Sequence, residues 1–326
     1  MGHPAPPHAP MSRVELLYRA LLDDRVDRIE YLNTAPALDT AVLVGQDARN
    51  SQLADVYDAA YMPFIVVPGE GLLAIPKALL IETFVDARRR FVRLRAQPAW
   101  TADEAEEVAQ ASMCLLLIGS ENSTALNARR RLRDGGGGNV TWAGELKLLT
   151  TIQMSKLQKH SKSPLLWNYR KETLAQLYDV IDEAVLASEM ALVFIAGENH
   201  PKNYYSWGYA RWLVEQVADE TPPALARVLD ETKAWCFDHP SDISGWSFVD
   251  WLLGGYFDVA VTAAVHREAV DLAVRYAPGH ESVWHAVAQM VARLWRDDRA
   301  LGRQAVAYLA QTAGLDAGLD AGLDAY

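Results

Sequence analysis

Few side chains in this sequence are spaced to do chemistry by themselves. Cys236-Phe237-Asp238-His239 puts a thiol, a carboxylate and an imidazole within about one helical turn. The candidates on this one turn do not complete a tetrahedral metal site, so the segment reads as core packing and a helix cap. The two cysteines, Cys114 and Cys236, are too few for a disulfide framework or a four-thiolate zinc site. No other His/Cys/Asp cluster has metal spacing, and no cofactor is expected in this chain. Gly135–Gly138 is a glycine-rich stretch without the Gly-Lys-Ser/Thr ending of a phosphate-cradling loop, and it reads as a flexible connection. Lys202 follows Pro201, and on the residues alone it is a solvated lysine beside a helix-starting proline.

The bulk composition narrows the classes. The chain has 326 residues, half of them hydrophobic, with a net charge of −11. It can bury a large core, and its acidity argues against a nucleic-acid-binding repeat, whose affinity rests on neutralising phosphates. No apolar run reaches the roughly 18–20 residues that span a bilayer. Met1–Pro10 carries four prolines, is expected to be disordered, and lacks the apolar centre of a secretory signal. The expectation is a soluble, cytoplasmic protein of a reducing compartment, with no transmembrane segment.

The elements that must position any site are helical. Ser12 is a candidate N-cap before Val14, Leu16, Leu17, Leu21 and Leu22. Residues 33–77 are punctuated by Pro63, Pro68, Gly69, Gly71 and Pro76, and they read as a non-repeat segment with two short strands, Val42–Val44 and Phe64–Val67. Phe84 to Arg95 carries Arg88, Arg89, Arg90, Arg93 and Arg95 beside Phe84, Val85, Phe91, Val92 and Leu94. Such a basic amphipathic helix can meet a membrane or an anion, although a solvated face paired with opposite charge is the commoner outcome. Thr101 and Glu104 have capping-box spacing.

Beyond Thr141 the pattern is periodic. Trp167, Trp207, Trp246 and Trp284 are separated by 40, 39 and 38 residues (207−167, 246−207, 284−246). Each follows a Pro, Gly or Ser break and a longer helical run: Glu145–His160, Leu177–Ile195, Ala224–Phe237 and Val259–Tyr276. A period in this range means tandem helical hairpins. Extending it backwards by 41 residues (167−126) lands on Leu126, where Leu126-Asn127-Ala128-Arg129 aligns with Trp167-Asn168-Tyr169-Arg170. Five units result. A recurring slot between stacked hairpins needs a recurring bulky filler, so the tryptophans read as structural. Arg129 and Arg170, three residues after the slot, share its helix face and can pair with a carboxylate of the neighbouring hairpin.

The period, the Pro-x-x-Tyr-x-x-Trp text and the Trp-Asn-x-Arg text resemble the alpha-subunit repeat of protein prenyltransferases, over roughly residues 100–295. Lys202-Asn203-Tyr204-Tyr205-Ser206-Trp207 is the strongest match. Ser241-Asp242-Ile243-Ser244-Gly245-Trp246 and the long N-terminal part with Pro63-Phe64-Ile65-Val66-Val67 resemble most the branch of protein prenyltransferase alpha subunit repeat-containing proteins, itself similar to the alpha subunit of type III geranylgeranyltransferase. The resemblance implies an all-α fold, a right-handed α-α superhelix of about five hairpins. The organisation expected is 11–100 non-repeat, 101–295 repeats, 296–313 a terminal capping helix and 314–326 a low-complexity Ala-Gly-Leu-Asp tail.

The resemblance also implies a partner and a reaction. Family alpha subunits wrap a beta subunit that supplies zinc and most of the isoprenoid pocket. Together they transfer a geranylgeranyl or farnesyl group from prenyl diphosphate to a C-terminal cysteine of a protein substrate. The family's Lys-Asn-Tyr lysine contacts the prenyl diphosphate, which carries over to Lys202, with Tyr204 shaping the same wall. One departure stands out: the arginine slot holds Ala210, Val249 and Val287 in the last three units. That departure motivates an alternative, a non-enzymatic α-solenoid scaffold derived from the same family.

Overall fold

A computed structural model describes residues 11–32, 58–135, 140–217 and 222–314. The expectations for Met1–Pro10, Val42–Val44, residues 136–138 and the 315–326 tail lie outside the described residues. The chain divides into two compact units, Met1–Asp179 and Val180–Tyr326. Helices dominate both, as expected for an all-α protein.

The first unit holds α1 (Arg13–Leu22), α2 (Lys77–Leu94), α3 (Ala102–Ile118), α4 (Ser123–Asp134), α5 (Trp142–Gln153), the one-turn α6 (Gln158–Ser161) and α7 (Pro164–Leu177). Local chemistry sets their starts. The Ser12 hydroxyl accepts from Glu15 N at 3.3 Å. Thr101 and Glu104 form a complete capping box. α1 packs on α2, α3 and α5, and Val14, Leu17 and Leu21 are fully buried in a core shared with Val108, Leu117, Leu126 and Ile152.

A small sheet was only partly legible. β1 (Arg28–Leu32), β2 (Ile65–Val67) and β3 (Leu72–Pro76) lie in the order β1-β3-β2, with β1 parallel and β2 antiparallel to β3. β2 falls inside the expected Phe64–Val67 strand. β1 and β3 were not expected, because each is five residues long and too short to separate from a helix edge by periodicity.

The second unit holds α8 (Glu183–Asn199), α9 (Tyr204–Val217), α10 (Pro222–Asp238), α11 (Ile243–Tyr256), α12 (Val259–Arg275), α13 (Glu281–Asp297) and α14 (Arg299–Ala313). Each tryptophan-bearing helix packs on the next, α9 on α11 and α11 on α13. This is the adjacency that a tandem hairpin requires.

Two helix bounds differ from expectation. The expected Glu145–His160 helix breaks after Gln153, where the Ser155 hydroxyl bonds His160 Nδ1 at 2.8 Å and accepts from Leu157 N at 3.3 Å. A serine that satisfies local backbone in this way competes with the helix. The helix expected from Leu177 begins at Glu183, because the Asp182 carboxylate accepts from Val185 N at 2.9 Å and fixes the start there.

Candidate site at the Lys202 turn

Each repeat turns into its second helix through one N-cap position, four residues before the Trp slot. Asn122, Ser163 and Asp242 cap α4, α7 and α11 with their side chains. Asn203 Oδ1 accepts from Ser206 N at 3.4 Å. The slot that follows is filled by Leu126, Trp167, Trp207 and Trp246, all buried, and by Trp284, which is half-buried. Burying an indole leaves its N–H to satisfy, and the turn supplies the acceptor six residues back. Trp167 Nε1 donates to Ser161 O at 2.7 Å, Trp246 to Pro240 O at 3.2 Å and Trp284 to Pro278 O at 3.0 Å.

The Trp207 turn breaks this rule. Trp207 Nε1 is buried and finds no partner among the described residues. Its turn contains Lys202 at φ 59, the one non-glycine residue with positive φ among those described. Lysine in the left-handed region costs on the order of 1 kcal/mol and persists only where its surroundings impose it. The imposing group is the carboxylate of Asp242, 40 residues away and only 2% exposed. Asp242 Oδ2 accepts from Lys202 N at 2.5 Å, while its Oδ1 accepts from Ser244 N at 2.9 Å and Gly245 N at 3.0 Å. One buried carboxylate thus caps α11 and pins the turn of the previous hairpin.

The pinned turn presents an exposed surface. Asn203 and Ser206 are buried, whereas Lys202, Tyr204 and Tyr205 are exposed, Tyr204 at 73%. The two tyrosine rings lie 5.7 Å apart, edge to face. The Lys202 ammonium has no ion-pair partner among the described residues. An unpaired cation on a strained, externally braced turn, next to two aromatic faces, can take a polyanion with an apolar tail.

Behind the turn lies an aromatic cluster. Trp207 and Trp235 meet at 5.2 Å between centroids, Trp207 and Phe248 at 5.3 Å, and Phe194 stacks on Trp235 at 6.4 Å. Gly197 and Gly245 make room for it: a Cβ on Gly197 would stand 2.9 Å from the Trp235 ring, and one on Gly245 would stand 2.9 Å from Trp235 and 3.2 Å from Trp207. Cys236 lies beneath, and its thiol is raised well above the usual range by burial and then by the Asp242 charge. His239 stacks on Trp235 at 4.1 Å, and its Nδ1 lies 2.8 Å from Trp235 O. The Cys236–His239 segment therefore packs and caps. Cys114 is equally inert, held at about 12 by burial.

The arginine slots differ between units. Arg129 is fully buried, with Nε donating to Glu145 Oε2 at 2.8 Å and Nη2 to Glu145 Oε1. Its Nη1 donates to Ala109 O at 2.6 Å and Ser112 Oγ at 3.1 Å. Burial opposes its charge, but Glu145 outweighs that and holds its pKa above the ordinary arginine value. Tyr169 also donates to Glu145 Oε2 at 2.8 Å. Arg170 is buried and donates to Thr150 Oγ1 at 3.0 Å. In the second unit the same slots hold Ala210, Val249 and Val287, all buried in apolar packing.

Sequence reasoning missed Asp242, Glu145, Trp235 and Gly197 as players. Asp242 had a legible signal: it stands four residues before Trp246, as Ser163 does before Trp167 and Asn203 before Trp207.

Comparison with known proteins gives the chain its relatives. Residues 166–262 match the ECM9 middle domain family. Protein prenyltransferase alpha subunit repeat-containing protein 1-A of Xenopus laevis is 28% identical over 168 residues, covering 45% of this chain and 37% of that protein. Geranylgeranyl transferase type-2 subunit alpha of Saccharomyces cerevisiae is 18% identical over 143 residues, 43% of each chain. Protein ECM9 of the same yeast is 26% identical over 109 residues, 33% of this chain and 28% of that protein. The matches span about two fifths or less of the length of these relatives. The resemblance read from the sequence thus has independent support: over part of its length this chain is similar to the prenyltransferase alpha subunit repeat-containing proteins.

Proposed function

We propose that this chain is the alpha-type subunit of a heterodimeric protein prenyltransferase. In that reading it wraps a beta subunit and supports transfer of a geranylgeranyl or farnesyl group from prenyl diphosphate to a cysteine thiol of a protein substrate. Zinc and most catalytic groups belong to the beta subunit, and the assembly works in the cytoplasm. The observation that carries the proposal is the turn at Lys202: a lysine in the left-handed region, braced by Asp242, with an unpaired ammonium beside exposed Tyr204. In the transfer step the thiolate sulfur bonds to C1 of the isoprenoid as the C1–O bond breaks, and the electron pair leaves with diphosphate. An ammonium held in advance beside that oxygen stabilises the charge as it develops. Tyr204 offers a ring along which the first isoprene unit can lie.

The second reading, a non-enzymatic scaffold, draws on Ala210, Val249 and Val287. Affinity purification of the tagged chain from its own cells separates the two. An alpha-type subunit co-elutes with a beta-subunit-like α-α barrel protein at equal stoichiometry, and the pair transfers prenyl groups. A scaffold elutes without such a protein, and that result overturns the proposal.

A further inference from the structure

The outer face of α2 sets exposed aliphatic side chains beside exposed basic ones, and the proposed prenyl transfer does not use it. Its inner stripe, Leu80, Thr83, Ala87, Phe91 and Leu94, is buried against the first unit. Its outer arc carries Ile81 at 60% exposure, Val85 at 42% and Val92 at 49%. At about 100° per residue these three side chains fall within about 40° of one another. Lys77, Arg88 and Arg95 flank them on one side and Arg89 and Arg93 on the other, all exposed; Glu82 lies between Arg89 and Arg93 and pairs with Arg13 at 2.5 Å. Arg93 pairs with Glu107 at 2.7 Å. Lys77, Arg88, Arg89 and Arg95 have no ion-pair partner among the described residues. The solvated-face expectation, with opposite charge pairing the arginines, therefore accounts for Arg90, which meets Asp86 at 2.6 Å, and for Arg93, but not for the rest.

We infer that this arc of α2 docks on an anionic membrane surface. Three exposed aliphatic side chains beside the unpaired cations Lys77, Arg88, Arg89 and Arg95 make the arrangement of an interfacial helix: the apolar stripe enters the headgroup boundary while the long basic side chains reach the lipid phosphates. The charge complementarity is local, because the whole chain is at −11 and is repelled by the same surface. The stripe runs from Ile81 to Val92 along a single outward helix flank, a length of about 17 Å within an 18-residue helix, which suits a plane more than a cupped peptide site. The inference is independent of the catalytic reading, since no residue of α2 belongs to the Lys202 turn.

The test is co-sedimentation of the full chain with vesicles. With phosphatidylcholine containing about a third phosphatidylserine at low salt, the chain pellets. With phosphatidylcholine alone it stays in solution, and high salt releases it. The Arg88→Ala/Arg89→Ala double variant weakens pelleting by at least tenfold, taking about fivefold per cation near such a surface. Ile81→Ser/Val92→Ser weakens it too, and both variants keep the wild-type melting temperature, because all four positions are exposed. Absence of pelleting with the anionic vesicles overturns the inference, as does pelleting that both variants leave unchanged. Capture of an acidic protein that needs these residues, without vesicle binding, makes the arc a protein interface and equally overturns it.

Discussion

The two compact units solve one packing problem in two ways. Both stack helical hairpins with a bulky residue in the same slot. In the first unit the position three residues after the slot is a buried arginine, and Arg129, Glu145 and Tyr169 form a closed polar cluster. In the second unit that position is Ala210, Val249 or Val287, a buried Glu189–Tyr209 bond remains, and an aromatic cluster of Phe194, Trp207, Trp235 and Phe248 packs in the core. A polar cluster constrains register, because each donor must meet its acceptor; an aromatic cluster constrains volume, and it depends on the glycines that admit the rings. The lesson is that loss of the repeat arginines is a repacking of the stack. It says nothing against the Lys202 turn, which is braced from a different place.

The largest expected effect breaks the polar solution. Arg129→Met leaves Glu145 buried without its partner and lowers unfolding stability by about 3–5 kcal/mol in urea titration. Adding Glu145→Leu restores much of that loss, because it converts the site to the apolar solution of the second unit. A double variant no better than the single one would show that the two solutions are not interchangeable.

The next effect appears as a pH dependence of the second unit. His266 stands 18 residues before Trp284, as Glu189 stands 18 before Trp207 (284−266, 207−189). Glu189 accepts from Tyr209 Oη at 2.6 Å, whereas both ring nitrogens of His266 and the Thr262 hydroxyl have no partner among the described residues. Burial, and then the Arg267 charge, lowers His266 from the usual 6.5 to about 4. The unfolded chain therefore binds a proton that the folded chain refuses between those values. Stability present above pH 6.5 is lost as pH falls toward 4, by up to about 3 kcal/mol. His266→Leu flattens this part of the profile in thermal melts across that range; an unchanged slope would place the acid sensitivity elsewhere.

Gly245→Ala tests the aromatic solution, since its methyl meets the Trp235 and Trp207 rings. The expected loss is about 1–3 kcal/mol in chemical unfolding. Gly208→Ala, with open space at its Cβ, is the control and costs nothing comparable. The smallest effect is that of Asp242→Ala, about 1 kcal/mol for the lost cap, read by thermal melt. Ser163→Ala costs a similar amount. Only the Asp242 variant also frees the Lys202 turn, and amide exchange at Lys202 rises in that variant alone.

Much of this was legible in the sequence, for identifiable reasons. The tryptophan period survives as chain order because a slot filler is chosen by volume, and volume is written in residue type. The Thr101–Glu104 capping box and the Ser12 cap were legible because capping is local. The break after Gln153 was not: it depends on a Ser155–His160 bond that no periodicity announces. The bracing of Lys202 was least legible, since a left-handed lysine is visible only once Asp242 has been carried 40 residues along the chain to its amide.

Single-turnover transfer by the complex of this chain with a co-purified beta subunit reads the role of Lys202 itself. Lys202→Ala is expected to lower the rate of the chemical step by about two orders of magnitude, with the complex intact on gel filtration and Lys202→Arg recovering part of the rate. A Lys202→Ala complex that transfers the prenyl group at the wild-type rate would contradict the assignment.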